Sequence, residues 1–254
     1  MTEALIKPSF KPEIVANVGN LPITNSFLVT IIISLIIIIG ALSIKKRLKK
    51  NQPGGLQNLI ELIFEKLLEL MDGITGSREQ TKQFFPLVAT IFIFVLLVNW
   101  VEVLPGLGTI GVEQHHHGEK ILAPFIRSGA ADLNLTLVIA LISVIATQII
   151  GVSALGVKKY LGKFLVSPLQ KPYFIGTFVG LLEIISEFAK IISFSFRLFG
   201  NIFAGEVLLT VMLMLVPLFV PLPFLFLEIF VGFIQAAVFA ILTLVFMKMA
   251  TEAH

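Results

Sequence analysis

The chain has 254 residues, 56% hydrophobic and only 14% charged, with a formal net charge of +3. A soluble domain of this size has too little interior for so much apolar surface, so an all-α polytopic membrane protein with about five membrane-embedded helices is expected. The absence of cysteine excludes a disulfide framework, a thiolate nucleophile and a cysteine metal site. The basic residues flank apolar runs and form no aromatic-interleaved groove, which leaves nucleic-acid binding without support.

Residues 1–24 are mixed in charge and broken by Pro8, Pro12 and Pro22, and read as an outer tail. Asn25 and Ser26 can cap the next helix, and residues 27–44 are an uncharged run of 18, just long enough to span. The basic cluster Lys45, Lys46, Arg47, Lys49 and Lys50 follows this run. A cleaved signal would carry its charge in front, so a retained first span is expected. Residues 56–72 differ in kind: Leu56, Ile60, Ile63, Phe64, Leu67, Leu68 and Met71 recur at three- and four-residue spacing among Glu61, Glu65, Lys66, Glu69 and Asp72. That pattern predicts an amphipathic helix on the membrane surface or against a partner, ended by Gly73 and Gly76.

Residues 84–104 form the second span, tilted or kinked near Pro86, with Trp100 at its outer end. Residues 105–131 read as an outer loop. Its run His115, His116, His117 lacks the fixed geometry and fourth ligand of a metal site, so no metal or cofactor is expected. Residues 133–157 are the third span, opened by Asp132, Asn134 and Thr136; Asp132 suits a helix cap, and the alternative is a polar mouth for ions. A short basic loop with Lys158, Lys159, Lys163 and Lys171 follows.

The stretch from Tyr173 to Val216 organises the rest. It is apolar, free of proline, and carries Glu183, Glu187, Lys190, Arg197 and Glu206. As one helix it would extend roughly 65 Å, about twice the hydrocarbon core of a bilayer. Either it breaks at Gly176, Gly180, Gly200 or Gly205, or it lies steeply tilted. At about 100° per residue, Glu183, Ser186, Lys190, Ser193, Arg197, Gly200, Asn201 and Ala204 fall on one stripe, and Glu206 falls opposite. After a turn marked by Pro217, Pro221 and Pro223, residues 224–250 return through the bilayer with Glu228 and Gln235 on a shared face. The two helices form a long, near-horizontal hairpin over residues 173–250, within a single membrane domain spanning 1–254.

Thirteen of the nineteen Lys and Arg fall in segments that are inner if the amino terminus is outside, which places the carboxyl terminus inside. Arginine deep in an apolar helix is costly, at least about 2.5 kcal/mol, and marks function by default. Its alternatives are a structural ion pair, for instance with Glu183, and snorkelling, which Phe194, Phe196 and Phe199 oppose. A guanidinium keeps its proton, so Arg197 suits a fixed charge that forces a passing acid to ionise. Glu206 and Glu228 are suited to relay protons in a partly wet cavity; the alternative is a hydrogen bond between them across the hairpin.

Ser195 to Glu206, SFRLFGNIFAGE, resembles the signature of subunit a of F-type ATP synthases, the membrane stator beside a rotating c-ring. Asn99 to Leu107 (NWVEVLPGL), Ala131 to Leu141 (ADLNLTLVIAL) and Phe233 to Leu242 (FIQAAVFAIL) also match. The resemblance implies that Arg197 is the essential arginine between two offset half-channels. It assigns Glu206, Glu228, Asn201 and Gln235 to the ion path, Glu183 and Ser193 to the inner side, and Asp132 to the outer mouth. Many relatives carry histidine or a small residue at one of the positions of Glu206 and Glu228; two acids here leave open which dominates. The implied partners are the c-ring, helices of a b-type peripheral stalk, lipid, and the translocated H⁺ or Na⁺, in a bacterial plasma membrane. No Walker-type loop appears, so nucleotide chemistry belongs to a separate head and the chain is not catalytic by itself. The other class considered is a stand-alone secondary transporter, whose repeated halves and paired broken helices are not found here.

Overall fold

The computed structural model describes residues 12–19, 21–47, 54–101, 103–104, 111–116, 119–164, 175–216 and 219–252. Tyr173, His117, Lys171 and Pro217 lie outside them. In chain order the elements are β1 (Ile14–Val18), β2 (Leu21–Thr24), α1 (Asn25–Arg47), α2 (Gly55–Thr75), α3 (Arg78–Val101), β3 (Gly111–His116), β4 (Glu119–Pro124), α4 (Leu133–Leu155), α5 (Val157–Phe164), α6 (Ile175–Leu215) and α7 (Pro221–Thr251). Five of the described helices, α1, α3, α4, α6 and α7, are long and apolar enough to cross a membrane. The architecture is all-α and polytopic, with two antiparallel hairpins, β1–β2 and β3–β4, added in the tail and the outer loop.

Those hairpins were not read from the sequence. In the first, Gly19 takes a positive φ of 62° between the strands and Asn17 pairs with Pro22, so Pro22 sits where a two-stranded ribbon, with two edges, tolerates a proline. Gly73 does not end α2. The helix runs on to Gly76, whose φ of 72° gives the left-handed cap and whose N–H donates to the Asp72 carbonyl at 2.9 Å. α3 starts at Arg78, ahead of its apolar run, because charge marks the edge of the apolar layer and not the end of a helix. Thr75 and Thr81 hydroxyls, 2.6 Å apart, join the two helices at that corner.

The basic loop after the third span is corrected to a helix. Gly156, at φ 79°, ends α4 and α5 begins at once. Lys158 and Lys159 stay exposed while Tyr160 turns inward. Gly151 makes room for it, since a Cβ there would collide with the Tyr160 ring. α6 settles the choice between broken and tilted: it is one helix of 41 residues through all four of its glycines. A single glycine costs about 1 kcal/mol of helix propensity, too little to interrupt a packed helix. At roughly 60 Å, α6 can lie within a bilayer only by tilting. α7 starts three residues earlier than expected because Pro221 and Pro223 occupy its first turn, where the missing N–H has no bond to make.

The core forms where α3, α4, α6 and α7 meet, with Val95, Val98, Ile139, Phe194, Leu198, Ile202 and Phe239 buried together. A second cluster of Met71, Phe84, Val88, Leu244 and Met247 docks α2 onto α3 and α7. Between α3 and α7, Asn99 Nδ2 donates to the Gly232 carbonyl at 3.0 Å and Trp100 Nε1 to the Ile229 carbonyl at 3.1 Å. A Cβ on Gly232 would lie 3.2 Å from the Asn99 Cβ. Gly232→Val therefore should separate these helices and cost about 1–3 kcal/mol, read as a lowered melting temperature of the detergent-solubilised chain.

Candidate functional site

α6 carries the site on two faces. On one, Ser193, Phe196, Arg197, Asn201 and Ala204 are all exposed, and Gly200 has open space where a Cβ would stand. Their three- and four-residue spacing makes them a single stripe. Arg197 donates from Nη2 to the Ser193 Oγ at 3.3 Å, and its guanidinium carbon lies 5.9 Å from the centre of the Phe194 ring. Among the described residues no carboxylate pairs with it, so the ion pair with Glu183 does not form. Asn201 reaches from the same stripe toward α7, where Nδ2 donates to the Gln235 Oε1 at 2.7 Å. Gln235 is 4% exposed, and its Nε2 has no partner among the described residues.

On the other face Glu206 meets a cation that sequence reasoning passed over. Arg127 donates from Nη2 and Nε to Glu206 Oε2 at 2.9 and 3.2 Å, with side chains 6% and 20% exposed. The segment before α4 delivers Arg127: Ser128 donates to the Val98 carbonyl at 3.0 Å, accepts from the Ala130 N–H at 3.2 Å, and opens a short turn at Gly129–Ala131. A signal was present. Residues 121–131 are apolar or small apart from Arg127 and Ser128 and hold no acid, so an arginine there needs a counter-charge from elsewhere.

Glu228 is 6% exposed on α7, and its carboxylate rests against the Gly205 backbone, in the space any larger side chain would take. Its Oε1 has no partner among the described residues. The two acids thus sit on neighbouring positions of one helix contact without a hydrogen bond between them, and the cross-hairpin alternative fails. Asp132 caps α4 by accepting from the Asn134 N–H at 2.9 Å through Oδ1, while Oδ2 accepts from the Ser26 hydroxyl at 2.7 Å. Both its oxygens are engaged by protein donors. Glu183 is half-buried near the other end of α6, roughly 35 Å along the axis from Glu206. Farther along α6, Lys190 Nζ lies 2.6 Å from Glu187 Oε1 and 4.7 Å from the centre of the Phe246 ring. The histidine run starts within β3, and no group of three or more metal-ligating side chains occurs among the described residues.

The structure therefore brings Arg197 to Ser193, Asn201 to Gln235, and Glu206 beside Glu228, and sets Glu183 and Asp132 apart from them. Chemically it offers a fixed cation on an exposed stripe and acids held behind it. Two substitutions test this geometry. Breaking the pair by Arg127→Gln or Glu206→Gln should each destabilise by about 3–5 kcal/mol, the double change costing clearly less than the sum, as read from thermal unfolding of the four proteins. Gly205→Ala should leave the stability within about 1 kcal/mol of the parent, because the flexible Glu228 side chain gives way, yet displace that carboxylate and slow ion flux in vesicles.

Residues 27–248 match the family model described as ATP synthase A chain. The chain is similar to ATP synthase subunit a of Gloeobacter violaceus, at 32% identity over 93% of this chain and 87% of that one. It is also similar to ATP synthase subunit a of Campylobacter jejuni strain RM1221, at 34% over 88% and 89%, and to that of Moorella thermoacetica, at 29% over 96% and 98%.

Proposed function

Because the chain belongs to the ATP synthase A chain family, we propose that it is the ion-translocating stator subunit of a rotary F-type ATP synthase, seated beside a ring of rotor subunits. The observation that carries this reading is Arg197, a guanidinium with no counter-ion among the described residues, on an exposed stripe of an otherwise apolar helix. In a bilayer such a charge is costly unless a partner meets it. An acid on a rotor passing that stripe is the partner that would.

In this reading the ion enters from outside past Glu206 and Glu228 and neutralises a rotor carboxylate, which then travels through lipid almost a full turn. On its return it faces Arg197, which favours the ionised acid, and the ion leaves toward the inner side near Glu183 and Ser193. Arg197 also blocks a direct shortcut, since a cation on the path repels the travelling ion. Asn201 and Gln235, hydrogen-bonded across α6 and α7 at 2.7 Å, hold the stripe to its neighbour at the crossing. Asp132 supports the outer mouth through its tie to Ser26. Ion flow thereby drives synthesis in a separate soluble head. We place the protein in the bacterial plasma membrane with its amino terminus outside and carboxyl terminus inside, against the c-ring and a b-type peripheral stalk.

Arg197→Lys should reduce coupled ATP synthesis in membrane vesicles to background although the formal charge is kept. An ammonium lacks the planar fork and loses its proton when desolvated. Near-normal synthesis would overturn the assignment. Replacing both Glu206 and Glu228 by glutamine should slow proton flux at every driving force tested, and unchanged flux would remove them from the path.

A further inference from the structure

Arg127 is an enclosed cation that belongs to neither α6 nor α7, yet it reaches a carboxylate of α6. Its segment is wedged in place. A Cβ on Gly129 would come within 2.9 Å of the Thr30 hydroxyl of α1 and 3.3 Å of Val98 of α3, and Ala130 and Ala131 are buried. Such a seat leaves the guanidinium little freedom to withdraw. Both contacts, from Nη2 and Nε, fall on one oxygen of Glu206, Oε2. Glu228 is in the opposite condition. It is equally enclosed, but among the described residues no cation pairs with it and its Oε1 has no partner. The backbone it rests on is that of Gly205, the residue just before Glu206. Two acids at one helix contact therefore meet unequal neighbours, a permanent cation and an uncharged stretch of backbone.

We propose, resting on the ion-path role given above, that Arg127 is a positioning residue that takes Glu206 out of the proton relay. Glu206 keeps its charge as the counter-ion of Arg127, and Glu228 is the acid through which the entering proton passes. An arginine cannot give up its proton, so protonating Glu206 would strand a buried guanidinium. Stranding a buried charge in this way is worth roughly a hundredfold or more in an equilibrium. Taking a proton onto Glu228 strands nothing. One proton joins a Glu228 oxygen from the outer side and leaves it toward the rotor carboxylate, while the pair at Glu206 stays neutral as a unit at each step.

The test is proton flux through the assembled complex in proteoliposomes, measured against outer pH and counted per complex. Around the two acids the charged groups among the described residues are Arg127 and Asp132. Asp132 has both oxygens on protein donors, and α3 brings only the uncharged Asn99 and Trp100 to this level. Glu206→Gln, which bares the guanidinium, should cut flux about tenfold. Adding Arg127→Gln should recover about fivefold, although position 206 still holds no acid. Arg127→Gln alone frees Glu206 to take a proton, so flux should stay saturated to an outer pH about one unit higher. The double change should bring that midpoint back. Glu228→Gln should cut flux about tenfold with or without Arg127→Gln. A double variant as slow as Glu206→Gln makes Glu206 a relay and overturns the proposal. Variants that differ in rate but share one midpoint make the pair merely structural, and overturn it as well. Should Glu206→Gln fail to assemble, the midpoints of Arg127→Gln and of the double variant decide. Failure of the stator reading shows elsewhere, as near-normal synthesis by Arg197→Lys.

Discussion

A guanidinium on an apolar helix has to find its counter-charge, and this chain does not supply one to Arg197 among its described residues. That contrasts with a second arginine, which is buried. Arg127 lies against Glu206 in a forked contact, enclosed on both sides, and the pair is neutral as a unit. Arg197 has only a serine hydroxyl and the face of Phe194. Arg197 stands on one face of α6 and Arg127, from the segment before α4, meets the other through Glu206, one cation settled and one waiting. The rest of the molecule can be understood as scaffolding for that asymmetry.

The scaffolding is unusual in being rigid where polar groups gather. α6 runs unbroken past Glu183, Arg197 and Glu206, so their spacing is fixed by helix geometry and does not depend on loops. Phe194 and Leu198, on the buried side of the Arg197 turn, pack into the main core with Phe239 and Ala236 of α7. Thr136 and Ser195 hydroxyls, 3.1 Å apart, add a tie to α4 at the same level, and Ser143 to Thr243, 2.8 Å apart, joins α4 to α7. Such interhelical hydrogen bonds are each worth about 0.6 kcal/mol on average in membranes. Their value here lies in register: they prevent α6 from rotating the arginine out of its stripe.

Much of this was legible in the residues. Periodicity placed Ser193, Arg197, Asn201 and Ala204 on one stripe and Glu206 on the other, because a helix obeys 100° per residue whatever surrounds it. The amphipathic α2 was visible for the same reason. The features that escaped depend on partners distant in sequence. Arg127 looked like one more basic residue of an outer loop until the fold brought Glu206 to it, and Tyr160 looked like part of a charged connection until Gly151 offered it a seat. The break at Gly73 was misjudged because a glycine permits a left-handed turn without demanding one; Gly76 takes it instead. The first hairpin was hidden by its prolines, whose usual message in a strand is interruption.

Uneven attachment governs how α1 can move. Its outer end is stapled: Asn25 donates to the Pro124 carbonyl at 3.1 Å, Ser26 to Asp132, and both side chains are fully enclosed. Farther along, Ile36, Ile38, Ile39 and Leu42 are bare of protein contacts on most of their surface. Clamped at one tip and held along one face by Val29, Ile33 and Ile37, α1 has its loosest hold at Lys45 and Lys46.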